Sequence, residues 1–110
     1  MVSNDLLKGT LKTIVLSLLE EKGRMYGYEI TQEVGRLTKG KIQLTWGALY
    51  PTLHKLEADH LITAEEVSIG KRVRKYYTLT ESGTKSATSY VEKFLDFVTI
   101  MGQILNPRPS

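Results

Sequence analysis

The apolar period changes after Asp59, and this change constrains the fold more than any other feature of the chain. Before it, Leu49, Leu53 and Leu56 recur at steps of four and three, which places them on one face of a helix. After it, residues 61–67 and 73–79 are two runs rich in β-branched and aromatic residues, which read as strands. Between the runs, Ser68-Ile69-Gly70-Lys71-Arg72 reads as a short hairpin loop with a glycine. Residues 70–75 hold four cations and no anion. A helix followed at once by a hairpin with a basic tip is a winged helix-turn-helix arrangement.

The helix over 45–57 has two readings. It can be an ordinary amphipathic core helix, or it can present its outer face to a DNA major groove. At about 100° per residue, Ala48, Pro51 and Lys55 fall opposite the leucines, with His54 nearby. Small groups followed by a cation one turn later would fit a groove, whereas a bulky acidic face would not. Thr45 can cap the start. Pro51 removes one backbone bond, at roughly 3 kcal/mol in a helix interior, so the helix either starts late or is locally irregular. Candidate DNA contacts on this helix are Thr45, Trp46, Ala48, Tyr50, Thr52 and Lys55. Trp46 can instead pack against Tyr50 or the preceding helix.

The basic loop also has two readings. Edge hairpins carry lysine to block unwanted pairing, and a wing carries cations to meet phosphates or the minor groove. With the helix in front of it, the wing is preferred, and Lys71 and Arg72 are its best contacts. Arg74 and Lys75 point to opposite faces of the strand. Only one should face DNA easily, and Arg74 is the candidate carried forward.

Upstream, residues 5–22 read as a helix with Leu7, Leu11, Ile14, Val15, Leu18 and Leu19 in its stripe, Asp5 at its start and Gly23 after its end. Residues 28–37 read as a second helix, and 38–44 as a loop with a glycine turn leading into the third. Downstream, Thr80 caps a last helix in which Ala87, Val91, Phe94, Val98, Met101 and Leu105 form a heptad seam. Tyr90, Phe97 and Ile104 repeat beside it. So broad a stripe exceeds what one small domain needs, and a twofold copy is the simplest partner. The expected fold is therefore mainly α with a small β-hairpin (α+β). Residues 1–79 form a winged helix-turn-helix domain, 80–105 a dimerisation helix and 106–110 a frayed tail.

Composition excludes several classes. At 110 residues with 41% apolar and 25% charged, the chain is a single globular domain. With no cysteine it has neither disulfides nor thiolate metal ligands. The apolar stretch 11–19 is too short to span a membrane and no cleavage site follows it, so a cytoplasmic protein is expected. The net charge of +3 is mild, so its placement matters more than its total. His54, Glu57 and His60 lack further ligands at suitable spacing for a metal. No nucleophile, base and orienting group stand together, and no glycine-rich phosphate loop occurs. No catalysis, metal or cofactor is expected.

Several short motifs are familiar in their order. Leu7-Lys8-Gly9-Thr10-Leu11 opens the first helix, and Tyr26-Gly27-Tyr28-Glu29-Ile30 the second. Gly47-Ala48-Leu49-Tyr50-Pro51 is followed by Leu53-His54-Lys55-Leu56-Glu57. Then come Leu61-Ile62, the basic loop, Lys75-Tyr76-Tyr77-Thr78-Leu79-Thr80 and Glu81-Ser82-Gly83. The chain resembles the PadR family of prokaryotic transcription regulators, in its smaller subgroup with one terminal helix. The resemblance implies a homodimer built by the last helix and the first, with Leu11, Val91, Phe94, Val98, Met101 and Leu105 as candidate interface residues. It implies a third helix in the major groove, a wing on the flanking groove, and repression relieved by a small molecule or stress. Some multidrug-sensing relatives hold flat drugs between tryptophans at the dimer centre; here no tryptophan lies in the last helix, and Phe94 and Phe97 either line a pocket or pack as core. Ala48 and Trp46 depart from the family pattern, so no base preference is carried over. Two rivals remain: a winged helix adaptor that binds protein, and a ligand-binding protein without DNA contact.

Overall fold

The structure, a computed structural model, describes residues 4–106. In chain order they form α1 (Asn4–Lys8), α2 (Leu11–Lys22), β1 (Arg24–Tyr26), α3 (Gly27–Leu37), α4 (Trp46–Ala58), β2 (Ile62–Ile69), β3 (Arg72–Leu79) and α5 (Glu81–Leu105). The three strands make one antiparallel sheet in the order β1-β3-β2. This is the helix-rich fold with a small sheet that the sequence predicts. The tail beyond Asn106 lies outside the described residues.

The helix expected over 5–22 is two helices. Thr10 breaks it by turning back on Leu7: its N–H and its Oγ1 both donate to the Leu7 carbonyl, at 2.8 and 2.9 Å. Leu7 and Leu11 are both 5% exposed, so the apolar stripe crosses the break undisturbed. A continuous stripe is why the spacing predicts one helix. Asp5 sits in the first turn of α1. Gly23 ends α2 in the left-handed region (φ 89°), with its N–H on the Leu19 carbonyl at 2.9 Å.

The strand β1 is three residues long and was not expected. It pairs Met25 with Tyr77 and Tyr26 with Tyr76, adding a third strand to the predicted hairpin. α3 then begins at Gly27, where the Glu29 carboxylate accepts the Tyr26 N–H at 3.0 Å. In the turn before α4, Gly40 adopts φ 79° and Thr38 Oγ1 accepts the Ile42 N–H at 3.0 Å.

The core sits between α2, α3, α4 and the inner face of the sheet. Val15, Leu16, Ile30, Leu49 and Leu53 have no exposed surface, and Leu19, Leu56, Ile62 and Tyr77 are 1% exposed. Full burial of one such side chain contributes about 1.5–3 kcal/mol. α5 joins this core only at its start. Thr80 Oγ1 accepts the Gly83 N–H at 2.9 Å and donates to the His60 carbonyl at 2.7 Å. A Cβ at Gly83 would collide with the Leu61 carbonyl oxygen, so only glycine lets α5 approach this closely. Ala87 is fully buried; further on, Leu95, Phe97, Val98, Ile100, Ile104 and Leu105 are all exposed. Among the described residues, no helix is long and apolar enough to cross a membrane, and no group of acidic, histidine or cysteine side chains could hold a metal.

Candidate nucleic-acid interface

The start of α4 sets the surface. Thr45 accepts the Ala48 N–H at 3.2 Å, the cap that the sequence predicts. Pro51 is the sixth residue of the helix, so the helix does not start late. The missing amide leaves the Gly47 carbonyl without its usual i+4 donor. Three buried leucines on the other face outweigh that loss, because Leu49, Leu53 and Leu56 contribute more together than one backbone bond removes.

The outer face of α4 differs in part from the expected line of Ala48, Pro51 and Lys55. Pro51 and Lys55 are exposed, but Ala48 is half-buried and packs against the core. Thr52 is also half-buried. α4 is held by both α2 and α3, and this widens its buried arc beyond the leucine stripe. The exposed ridge is instead aromatic. Trp46, Tyr50 and His54 follow at steps of four, with ring centroids 5.2 Å and then 6.0 Å apart. Trp46 is 49% exposed and Tyr50 43%. The underside of the Trp46 ring rests on Gly27, where any Cβ would overlap Cζ3. Trp46 thus packs on both Tyr50 and the start of α3 while keeping half its surface open. Lys55 pairs with Asp59 at 3.3 Å.

The hairpin is longer than expected and its turn shorter. β2 and β3 pair through eight positions, from Ile62–Leu79 out to Ile69–Arg72. The turn is therefore Gly70 and Lys71 alone, with Gly70 at φ 61° as a tight two-residue turn requires. Ser68, Ile69 and Arg72 belong to the strands. Lys71 and Arg72 are exposed and form no ion pair among the described residues.

The next two cations part company. Arg74 lies on the outer face of the sheet, its guanidinium 4.1 Å from the Tyr26 ring centroid. On the same face, Arg24 stands 4.1 Å from the Tyr76 ring, and Tyr26 and Tyr76 meet edge to face at 5.4 Å. A hydrogen bond with Tyr76 raises the Arg74 pKa further. Lys75 lies on the inner face beside α4, with Nζ 3.8 Å from Glu57 and 5.8 Å from the Tyr77 ring centroid. Tyr77 is buried between sheet and helices. Burial pushes its phenol up, and the charge of Glu57 adds to this. A groove of about 640 Å³ joins these parts, running between the starts of α3 and α4 and the tip half of β3. Of its tyrosines only Tyr50 was a candidate contact. Arg24 beside Tyr26 and Arg74-Lys75 before Tyr76-Tyr77 were the available signal for the others.

On α5, Val91, Phe94 and Met101 are half-buried, while Val98 and Leu105 are 49% and 78% exposed. Phe94 and Phe97 touch each other with centroids 6.2 Å apart. Leu11 differs from expectation: it lies in the chain's own core and is 5% exposed, which leaves almost no surface for a partner.

The sequence matches the Transcriptional regulator PadR-like family over residues 15–89, well over half of the chain. It is similar to a transcriptional regulator of Mycobacterium tuberculosis, 38% identical over 64 residues, covering 58% of this chain and 57% of that protein. The fold is similar to that of a transcriptional regulator from Clostridium thermocellum. That pair has a TM-score of 0.81 at 27% identity, over 94% of this chain and 97% of the other. It is also similar to Bacillus subtilis PadR, solved in complex with operator DNA, with a TM-score of 0.67 at 31% identity over 74% of this chain and 45% of that one. The capped helix α4, the basic hairpin that follows it and these matches lead to one conclusion: the chain belongs to the PadR-like family of transcriptional regulators.

Proposed function

We propose that this protein is a dimeric DNA-binding repressor that reads a pseudo-palindromic operator and is released by a small molecule or stress signal. Residues 1–79 bind DNA and 80–105 hold the dimer. The observation that carries the reading is the exposed Trp46 and Tyr50 on α4, which share one groove with Arg74 and Lys75 of β3, while Lys71 and Arg72 at the tip of that hairpin are exposed and form no ion pair among the described residues. The ridge enters the major groove, with Trp46, Tyr50 and Lys55 at its surface, and the turn meets the flanking phosphates. The relative from Bacillus subtilis with bound operator DNA supports this arrangement.

The exposed apolar run on α5 supports the dimer, with Val91, Phe94, Val98, Met101 and Leu105 facing the second copy. Twofold symmetry then sets two reading helices about 34 Å apart, so half-sites lie one helical turn apart. Fluorescence anisotropy with a duplex from upstream of the protein's own gene, against a scrambled duplex, tests the reading. About three phosphate contacts per subunit give a log–log salt slope near −5. Lys71→Glu with Arg72→Glu is expected to abolish binding and leave the dimer intact. Retained operator affinity in that variant overturns the reading. Absence of binding by the unaltered protein at low salt would favour a protein-binding adaptor.

A further inference from the structure

Two glycines stand in the first turns of their helices against a close neighbour, and the neighbours differ in kind. At Gly83 a Cβ would meet the Leu61 carbonyl, which is backbone. At Gly27, the first residue of α3, the three atoms nearest to a Cβ all belong to the Trp46 ring: it would overlap Cζ3 and lie 3.0 Å from Cε3 and Cη2. The backbone at Gly27 is held in place. Tyr26 before it pairs with Tyr76 in the sheet and gives its N–H to the Glu29 carboxylate at 3.0 Å. A side chain added at Gly27 would therefore displace the indole, which turns on two side-chain bonds, and not α3. Gly27 has no positive φ, so alanine suits its backbone and is a better helix former there.

The contact with Gly27 also fixes which way the ring faces. Tyr50 packs against the same ring, with centroids 5.2 Å apart. Across the six-membered ring of an indole, the carbon opposite Cζ3 is Cε2, which carries Nε1. With Cζ3 turned to Gly27, the N–H edge points away from it. Trp46 is 49% exposed, and its N–H has no hydrogen-bond partner among the described residues. An indole N–H donates and never accepts, so its partner must be an acceptor. A duplex offers acceptors on its phosphates and on its base edges.

We propose that Gly27 is a positioning residue for DNA recognition: the absence of a side chain there seats the Trp46 ring, and the seated ring aims its N–H at a hydrogen-bond acceptor on the duplex. The inference rests on the DNA-binding reading and deepens it, because it gives the start of α3 a part in what α4 contacts. A ring held beforehand avoids the ordering cost that a swinging side chain brings to each encounter.

The test is a double-mutant cycle on the full chain with Gly27→Ala, Trp46→Ala and the two together. Affinity is read by fluorescence anisotropy on the labelled duplex from upstream of the protein's own gene and on its scrambled counterpart. Gly27→Ala is expected to bind the upstream duplex about tenfold more weakly, while its melting temperature holds or rises. In the Trp46→Ala background the same change should alter affinity by less than about twofold, since no ring is left to displace. Trp46 is the only tryptophan, so acrylamide quenching of its emission follows the ring without DNA, and Gly27→Ala should be quenched more readily. A loss on both duplexes alike identifies a phosphate oxygen as the acceptor, and a loss confined to the upstream duplex identifies a base edge. Unchanged affinity or unchanged quenching in Gly27→Ala overturns the proposal, as does an equal loss when Trp46 is absent. A melting temperature that falls along with affinity would make Gly27 a structural residue only, and overturns it too. If the unaltered protein binds neither duplex, the DNA-binding reading itself falls. Failure of the proposal alone is the case in which the unaltered protein binds and Gly27→Ala binds equally well.

Discussion

α4 and α5 carry apolar stripes of the same spacing but place them in opposite environments. On α4, Leu49, Leu53 and Leu56 are at most 1% exposed and complete the chain's own core. On α5, only Gly83 and Ala87 are buried, while Leu95, Val98, Ile104 and Leu105 are between 49% and 78% exposed. The difference follows from what stands opposite each helix. α4 is flanked by α2, α3 and the sheet, whereas α5 runs antiparallel to α2 and on past its N-terminal end, along a molecule 60 Å long and 20 Å thin. The same apolar spacing thus fills a core only where the rest of the chain can reach it.

The largest test of this contrast is Val98→Asp. In a twofold interface it buries one unpaired carboxylate per subunit, at about 3–5 kcal/mol each. Sedimentation equilibrium should show monomers, while α2 to α4 keep their helical spectrum because Val98 is 49% exposed in the single chain. A persisting dimer would place the interface elsewhere, and loss of the fold would put distal α5 in the subunit core. Leu53→Ala should do the reverse. It leaves a cavity in a fully buried site and lowers unfolding free energy by about 2–5 kcal/mol in chemical denaturation, without moving the interface. The two helix caps give the finest comparison. Thr80 holds both the Gly83 N–H and the His60 carbonyl, while Thr45 holds only the Ala48 N–H at a longer 3.2 Å. Thr80→Ala should cost about 1–2 kcal/mol and Thr45→Ala about 0.5–1, read from paired melts. Equal losses would mean that the His60 contact adds nothing.

What the sequence made legible was what local period and turn chemistry encode. The leucines of α4, the hairpin, the Thr45 and Thr80 caps and the extent of α5 all follow from residues close in the chain. The break at Thr10 escaped because it interrupts the backbone without interrupting the Leu7–Leu11 stripe. β1 escaped because three residues carry no period of their own, and only pairing with Tyr76 and Tyr77, fifty residues away in the chain, makes Arg24–Tyr26 a strand. The outer face of α4 was partly misplaced because the arc that buries Ala48 depends on where α2 and α3 lie. The Trp46–Tyr50–His54 ridge was available in the i, i+4 spacing, yet small residues drew the attention first.

The two-residue turn between β2 and β3 makes the hairpin an arm with a quantised length. Eight cross-strand pairs run from the core to the tip, and only those near Ile62 and Tyr77 are anchored. An insertion or deletion of one pair of residues on each strand moves the tip outward or inward by about 6–7 Å and keeps every side chain on its face. An odd change swaps the faces, sending Arg74 towards α4 and Lys75 away from it. The reach of the arm can therefore change only in discrete steps, while the residues at its root stay as they are.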